Sequence, residues 1–204
     1  MLSKMRDYQK LDAKDSRIIR SRLQDGLESQ LLVIQTPFGY RRVGELFRPE
    51  GNEKLAAILY VHWYEPESRD SNRSQFVEEA KELAHGVLAG SLDQRPKHYV
   101  IMAATPRFLD WYLYLPKLEG EAREMFIQQM AEIDPIVHAP NLASASVFFQ
   151  FGTDDPHVPR ERAEEFFAAT REPKALRWYE SGHGLNEAAT NDRKIWLKEK
   201  LGLK

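Results

Sequence analysis

Four short runs of almost unbroken apolar residues constrain this chain more than anything else in it: 55–63 (LAAILYVHW), 99–104, 146–151 and 175–179. Runs this short and this continuous suit strands covered on both faces, as in a parallel sheet lying between helices. Segments of helical period separate them. In residues 74–88 the apolar positions Phe76, Val77, Ala80, Leu83, Ala84 and Val87 recur every three or four residues, with Glu and Lys between them. Further helices are predicted over 118–130, 160–170 and 187–201. Strand–helix alternation of this kind predicts an α/β fold with a mostly parallel sheet flanked by helices.

Ahead of the first run, residues 30–36 and 40–47 read as two strands joined by Pro37-Phe38-Gly39, an N-terminal hairpin. The first 26 residues are rich in charge and only weakly amphipathic (Leu11, Ile18, Ile19, Leu23), which predicts an exposed charged helix. Residues 27–204 are then expected to form a single domain.

Composition closes several routes. The charges nearly cancel, to a net of -2, so no basic excess favours nucleic acid. Cysteine is absent, which removes disulfides, thiolate metal sites and a Cys nucleophile together. The first residues are too charged for a signal peptide, and no stretch approaches the ~20 apolar residues of a membrane span. The expectation is a soluble, cytoplasmic protein with no membrane partner and no bound cofactor.

Ligands of open parallel sheets bind where loops leave the carboxyl ends of the strands. Two such loops carry chemistry. The first runs Gly152-Thr153-Asp154-Asp155-Pro156-His157-Val158-Pro159 into a helix, with Pro159 suited to a helix start. Either aspartate there could simply make the turn or cap the helix. The second loop, Ser181-Gly182-His183-Gly184, follows one strand and one helix later. A histidine between two glycines is free of crowding, and neighbouring strand ends lie close. A carboxylate–imidazole hydrogen bond would fix the ring's tautomer and support the imidazolium formed in acyl transfer.

With Asp134-Pro135, Gly152-Thr153, Asp155, Val158-Pro159 and Gly182-His183-Gly184 in this order, residues 132–186 resemble the carboxyl-terminal third of the α/β-hydrolases, the dienelactone-hydrolase-like branch in particular. The resemblance implies a nucleophile–acid–histidine triad acting on carboxylic esters or lactones, with Asp155 as the acid and His183 as the base. It also implies that residues 57–64 lead into the first oxyanion loop, where a backbone N–H of Trp63 or Tyr64 would hold the developing oxyanion. The same segment reads equally as a strand end with core aromatics, and His62 as a packed strand residue.

The family's nucleophile elbow, Gly-x-Ser-x-Gly or a close relative, does not occur. Ser91 is followed two residues later by Asp93, where a small residue belongs. Thr105 is followed by Pro106, which has no N–H for an oxyanion, and by the bulky Arg107. Ser144 and Ser146 stand before their strand, and Ser181 is out of family order. The spacing agrees: a complete member fits two more strands and two helices between Trp63 and Tyr99. An internal deletion joining near residues 85–88 is therefore expected, and the apolar surface it would expose predicts a homodimer or poor solubility. The opposing reading is a non-catalytic shortened isoform, pseudoenzyme or binding module that keeps a vestigial acid–base pair.

A metal is not expected, since His157 beside Asp154 and Asp155 lacks any recognised ligand spacing. Trp111, Tyr112 and Tyr114 could line an acyl or lactone pocket or pack a core; the sequence supports both equally.

Overall fold

The computed structural model describes residues 16–35, 41–50, 96–112, 118–131, 134–142 and 145–203. The chain separates into two compact units, Ser3–Leu88 and Ala89–Lys204. Their boundary falls inside the stretch expected to be one domain, and each unit is described by itself.

In the first unit, β1 (Ser16–Gln24), β2 (Leu27–Gln35) and β3 (Arg41–Pro49) form an antiparallel sheet in the order β1-β2-β3. The expected β2–β3 pairing is present, with Val33 opposite Val43 and Ser29 opposite Phe47. The expected helix over the first 26 residues is corrected at 16–24, which is strand. The cause is Asp25-Gly26. Both residues have positive φ, 52° and 75°, which is what a two-residue hairpin turn with right-handed strand twist requires. That turn folds 16–24 back along β2, where the β-branched Ile18 suits a pleated strand better than a weak helix. Glu50 N–H closes the far side of the sheet onto Gly26 O at 2.8 Å. Residues 51–95, which hold the first predicted apolar run and the helix expected at 74–88, lie outside the described residues.

The second unit is a parallel sheet of β4 (His98–Met102), β5 (Ser146–Gly152) and β6 (Lys174–Tyr179), in the order β4-β5-β6. Its helices are α1 (Phe108–Tyr112), α2 (Gly120–Met130), α3 (Pro135–His138), α4 (Arg160–Ala169) and α5 (Glu187–Leu201). A mixed α/β fold with a parallel sheet and helices is what the alternating pattern predicts. The middle strand explains why: from Val147 to Gly152 every residue of β5 is buried, so it reads as a continuous run. Phe149 and Phe151 are fully buried and Phe149 meets Phe166 and Phe167 of α4 edge-on, with ring centroids 5.5 and 5.6 Å apart. Edge-to-face packing of this kind adds to the burial itself.

One polar side chain interrupts that run, and every polar atom of it is occupied. Gln150 donates to Tyr179 Oη (2.8 Å) and to Ala189 O (2.7 Å), and accepts from Arg193 at 2.7 Å. A buried amide left unpaired would cost about 1–3 kcal/mol; here it ties β5 to β6 and α5 instead.

Candidate active site

The ends of β4, β5 and β6 set the site, because parallel register places Met102 beside Gln150 and Gly152 beside Tyr179, on one rim. Gly152 is the steric key to that rim. A Cβ there would run into the carbonyl oxygen of Ser181 and stand 2.6 Å from that of Gly182, so only glycine lets the two loops cross. The crossing is then stitched by main chain: Thr153 N–H donates to Tyr179 O at 2.8 Å and Asp154 N–H to Ser181 O at 3.1 Å.

Asp154 is exposed, whereas the Asp155 side chain is only 1% exposed. Asp155 Oδ1 accepts the backbone N–H groups of His157 (2.8 Å) and Val158 (3.2 Å). Its other oxygen, Oδ2, lies 2.9 Å from His183 Nδ1. The carboxylate is held from one side by the chain and presents the opposite oxygen to the imidazole. A carboxylate only accepts, so Nδ1 carries the proton and Nε2 is the ring's basic nitrogen. His183 remains 17% exposed. The His157 ring meets the His183 ring edge to face at 5.0 Å, a contact that the sequence does not announce.

Asn186 ends the second loop by capping α5, accepting the Ala189 N–H at 3.1 Å. Leu185 supplies the left-handed residue just before it, with φ 56°. His183 therefore sits on a short loop pinned by a crossing at one end and a helix cap at the other.

The loop after β4 is tied down by charge. Arg107 grips Glu165 of α4 with two nitrogens, at 2.7 and 2.5 Å, and Arg162 reaches both Glu165 (3.1 Å) and Asp110 (3.5 Å). The Arg107 hydrogen bond holds the Glu165 carboxyl down at about 2. Burial pushes Asp110 the other way, upward, against the pull of Arg162 and Arg107. Asp110 Oδ2 is buried without a hydrogen-bond partner among the described residues. Asp134, of the Asp-Pro pair noted in the sequence, accepts the Phe108 N–H at 2.8 Å and so anchors the start of α1.

The hydroxyl candidates for a nucleophile fall in different places. Thr105 Oγ1 donates to Arg107 O at 3.2 Å. Ser146 Oγ is 2.8 Å from His98 Nδ1, at the amino end of β5 and so at the end of the sheet away from the site. Ser181 Oγ is buried with no hydrogen-bond partner among the described residues. Ser91, Ser144, His62 and the oxyanion candidates Trp63 and Tyr64 lie outside the described residues, as do Tyr114 and the side chains of Trp111 and Tyr112. Among the described residues no group of three His, Cys, Asp or Glu side chains could hold a metal ion, and no helix is long and apolar enough to cross a membrane.

No protein-family model and no curated protein matches the chain. Among solved structures it is similar to the acetyl xylan esterase from Paenibacillus sp. R4, with a TM-score of 0.61 and 10% identity over 98% of this chain and 99% of that one. It is also similar to a cold-adapted esterase from an Arctic intertidal metagenomic library, with a TM-score of 0.59 and 10% identity over 91% of this chain and 98% of that one. The chain shares the fold of these esterases.

Proposed function

We propose that this chain is an α/β-hydrolase-type protein of the dienelactone-hydrolase-like branch, built around ester or lactone hydrolysis with Asp155 as the acid and His183 as the base. The observation that carries the reading is the Asp155 Oδ2–His183 Nδ1 pair at 2.9 Å, with the acid's other oxygen held by two backbone N–H groups. A pair so arranged leaves Nε2 to take a proton from a nucleophile and return it to a leaving group. The structural neighbours are esterases, which supports the same substrate class.

Acyl transfer also requires an attacking group, and the sequence holds no Gly-x-Ser-x-Gly elbow. That absence favours a second reading, in which an internal deletion near residues 85–88 removed the nucleophile segment and left a non-catalytic form. Alignment with full-length relatives tests the deletion: a gap between Trp63 and Tyr99 is expected, and an unbroken match would refute it. Hydrolysis of a short panel of p-nitrophenyl esters by the purified protein, beside His183→Ala, separates the two readings. Turnover that falls about 10⁴-fold in the variant establishes a working triad with an unconventional nucleophile. Turnover no higher than that of His183→Ala leaves a hydrolase fold without hydrolase chemistry, or with a substrate outside the panel.

A further inference from the structure

The first unit carries a surface that the acid–base pair does not use. All nine residues of β1 are exposed, with Ile18, Ile19 and Leu23 at 57%, 60% and 57%. β1 is also an outer strand of its sheet among the described residues. An edge strand presents a row of backbone N–H and C=O groups along which another strand can pair.

What would fit it follows from a register shift. Between Ile18 and Arg20 the pairing with β2 slips, leaving Ile19 as an extra residue. Arg17 then stands opposite Val33, Arg20 opposite Leu31 and Arg22 opposite Ser29. Those partners are alternate residues of β2, so all three arginines share one face, in steps of about 6.8 Å. In an unbulged strand Arg17 would point the other way. The opposite face of the same strand carries Ile18, Ser21 and Leu23, continued on β2 and β3 by Ile34 and Leu46. Glu45 approaches Arg20 only at 3.9 Å, and Arg17 and Arg22 have no ion pair among the described residues.

We propose that β1 is a docking edge for an extended acidic segment of a partner protein. The segment adds beside β1 as a further strand, with Glu or Asp at alternate positions facing Arg17, Arg20 and Arg22, and apolar residues between them facing the Ile18 and Leu23 side. Charge selects the occupant. A second copy of this chain pairing through β1 would set arginine against arginine, and like charges directly across a ladder are destabilising. An alternating acidic–apolar segment satisfies both faces at once.

The test is fluorescence anisotropy with the full chain and labelled peptides of strictly alternating Glu and Val, a block-scrambled peptide of identical composition, an alternating Lys–Val peptide, and a single-stranded oligonucleotide of equal charge. The alternating acidic peptide is expected to bind about tenfold tighter than the scramble, the scale that three cross-strand charge pairs add. The double variant Arg17→Glu, Arg22→Glu, which changes only exposed side chains, is expected to lose the Glu–Val peptide and gain the Lys–Val peptide. Equal binding of the scramble or the oligonucleotide would reduce the site to a bare anion patch and overturn the proposal. So would an absence of binding, or a wild-type dimer whose strength the double variant changes, which would place a second copy on β1.

Discussion

Asp155 accepts from two backbone N–H groups and an imidazole, all from within 28 residues of chain, and only 1% of its side chain is exposed. Its structural and chemical roles can therefore be separated by substitution. Asp155→Ala strips the acceptor from two backbone donors and is expected to destabilise the protein by about 2–4 kcal/mol. Asp155→Asn keeps a carbonyl oxygen for those donors and is expected to cost about 1 kcal/mol, while losing the charge that supports His183. Urea denaturation of the two variants measures the difference. Equal losses would mean that the backbone donors are not what the carboxylate anchors. The same residue shows how far sequence alone reaches: Asp154 and Asp155 are chemically identical neighbours, and only the family resemblance preferred the second. In the structure the two differ, Asp154 lying exposed and Asp155 turned inward against His183.

At the scale of elements, the Arg107–Glu165 clasp joins the loop after β4 to α4, and its pH dependence has a definite sign. Glu165 is held at about 2 in the fold against an ordinary value of 4.5. A carboxyl with a depressed folded pKa contributes stability above its unfolded value, and that contribution drains away as pH falls from 4.5 toward 2. Because Glu165 is 36% exposed, solvent screens the pair and the contribution is a modest one. Chemical denaturation between pH 5 and about pH 2.5 is expected to show a shallower loss in Glu165→Gln than in wild type. Parallel slopes in the two proteins would show that the clasp carries no such linkage. The elements were legible in the sequence to different degrees. The α5 helix and the strands around Phe149 and Trp178 follow from apolar period and length. β1 did not, because a tally of charges and weak amphipathicity outweighed a two-residue signal, Asp25-Gly26, that decides the local fold by turn geometry. The ring contact of His157 on His183 is likewise beyond any pattern, since it depends on the direction of two side chains across a loop crossing.

For the molecule as a whole, the division at Leu88/Ala89 leaves Asp155, His183 and the parallel sheet within one compact unit. The contacts that hold the pair join residues 152–189 to one another, with β4 and the Arg107 clasp in the same unit. A chain reduced to residues 89–204 is expected to unfold in one cooperative transition with the helical content of α4 and α5 retained, as followed by circular dichroism. A non-cooperative melt would show that residues 89–204 do not fold as a unit by themselves. The crossing at Gly152 has a consequence for how such a protein can change over time. The loop crossing between Asp155 and His183 is gauged by backbone carbonyl oxygens and amide hydrogens, which every residue but proline carries, so side chains that point away from it are at liberty to drift. Position 152 lacks that freedom, as do Asp155 and Asn186, whose side chains hold the two loops. A lineage could exchange what lies in front of the imidazole many times over, or lose it altogether, and still inherit the same bracket intact.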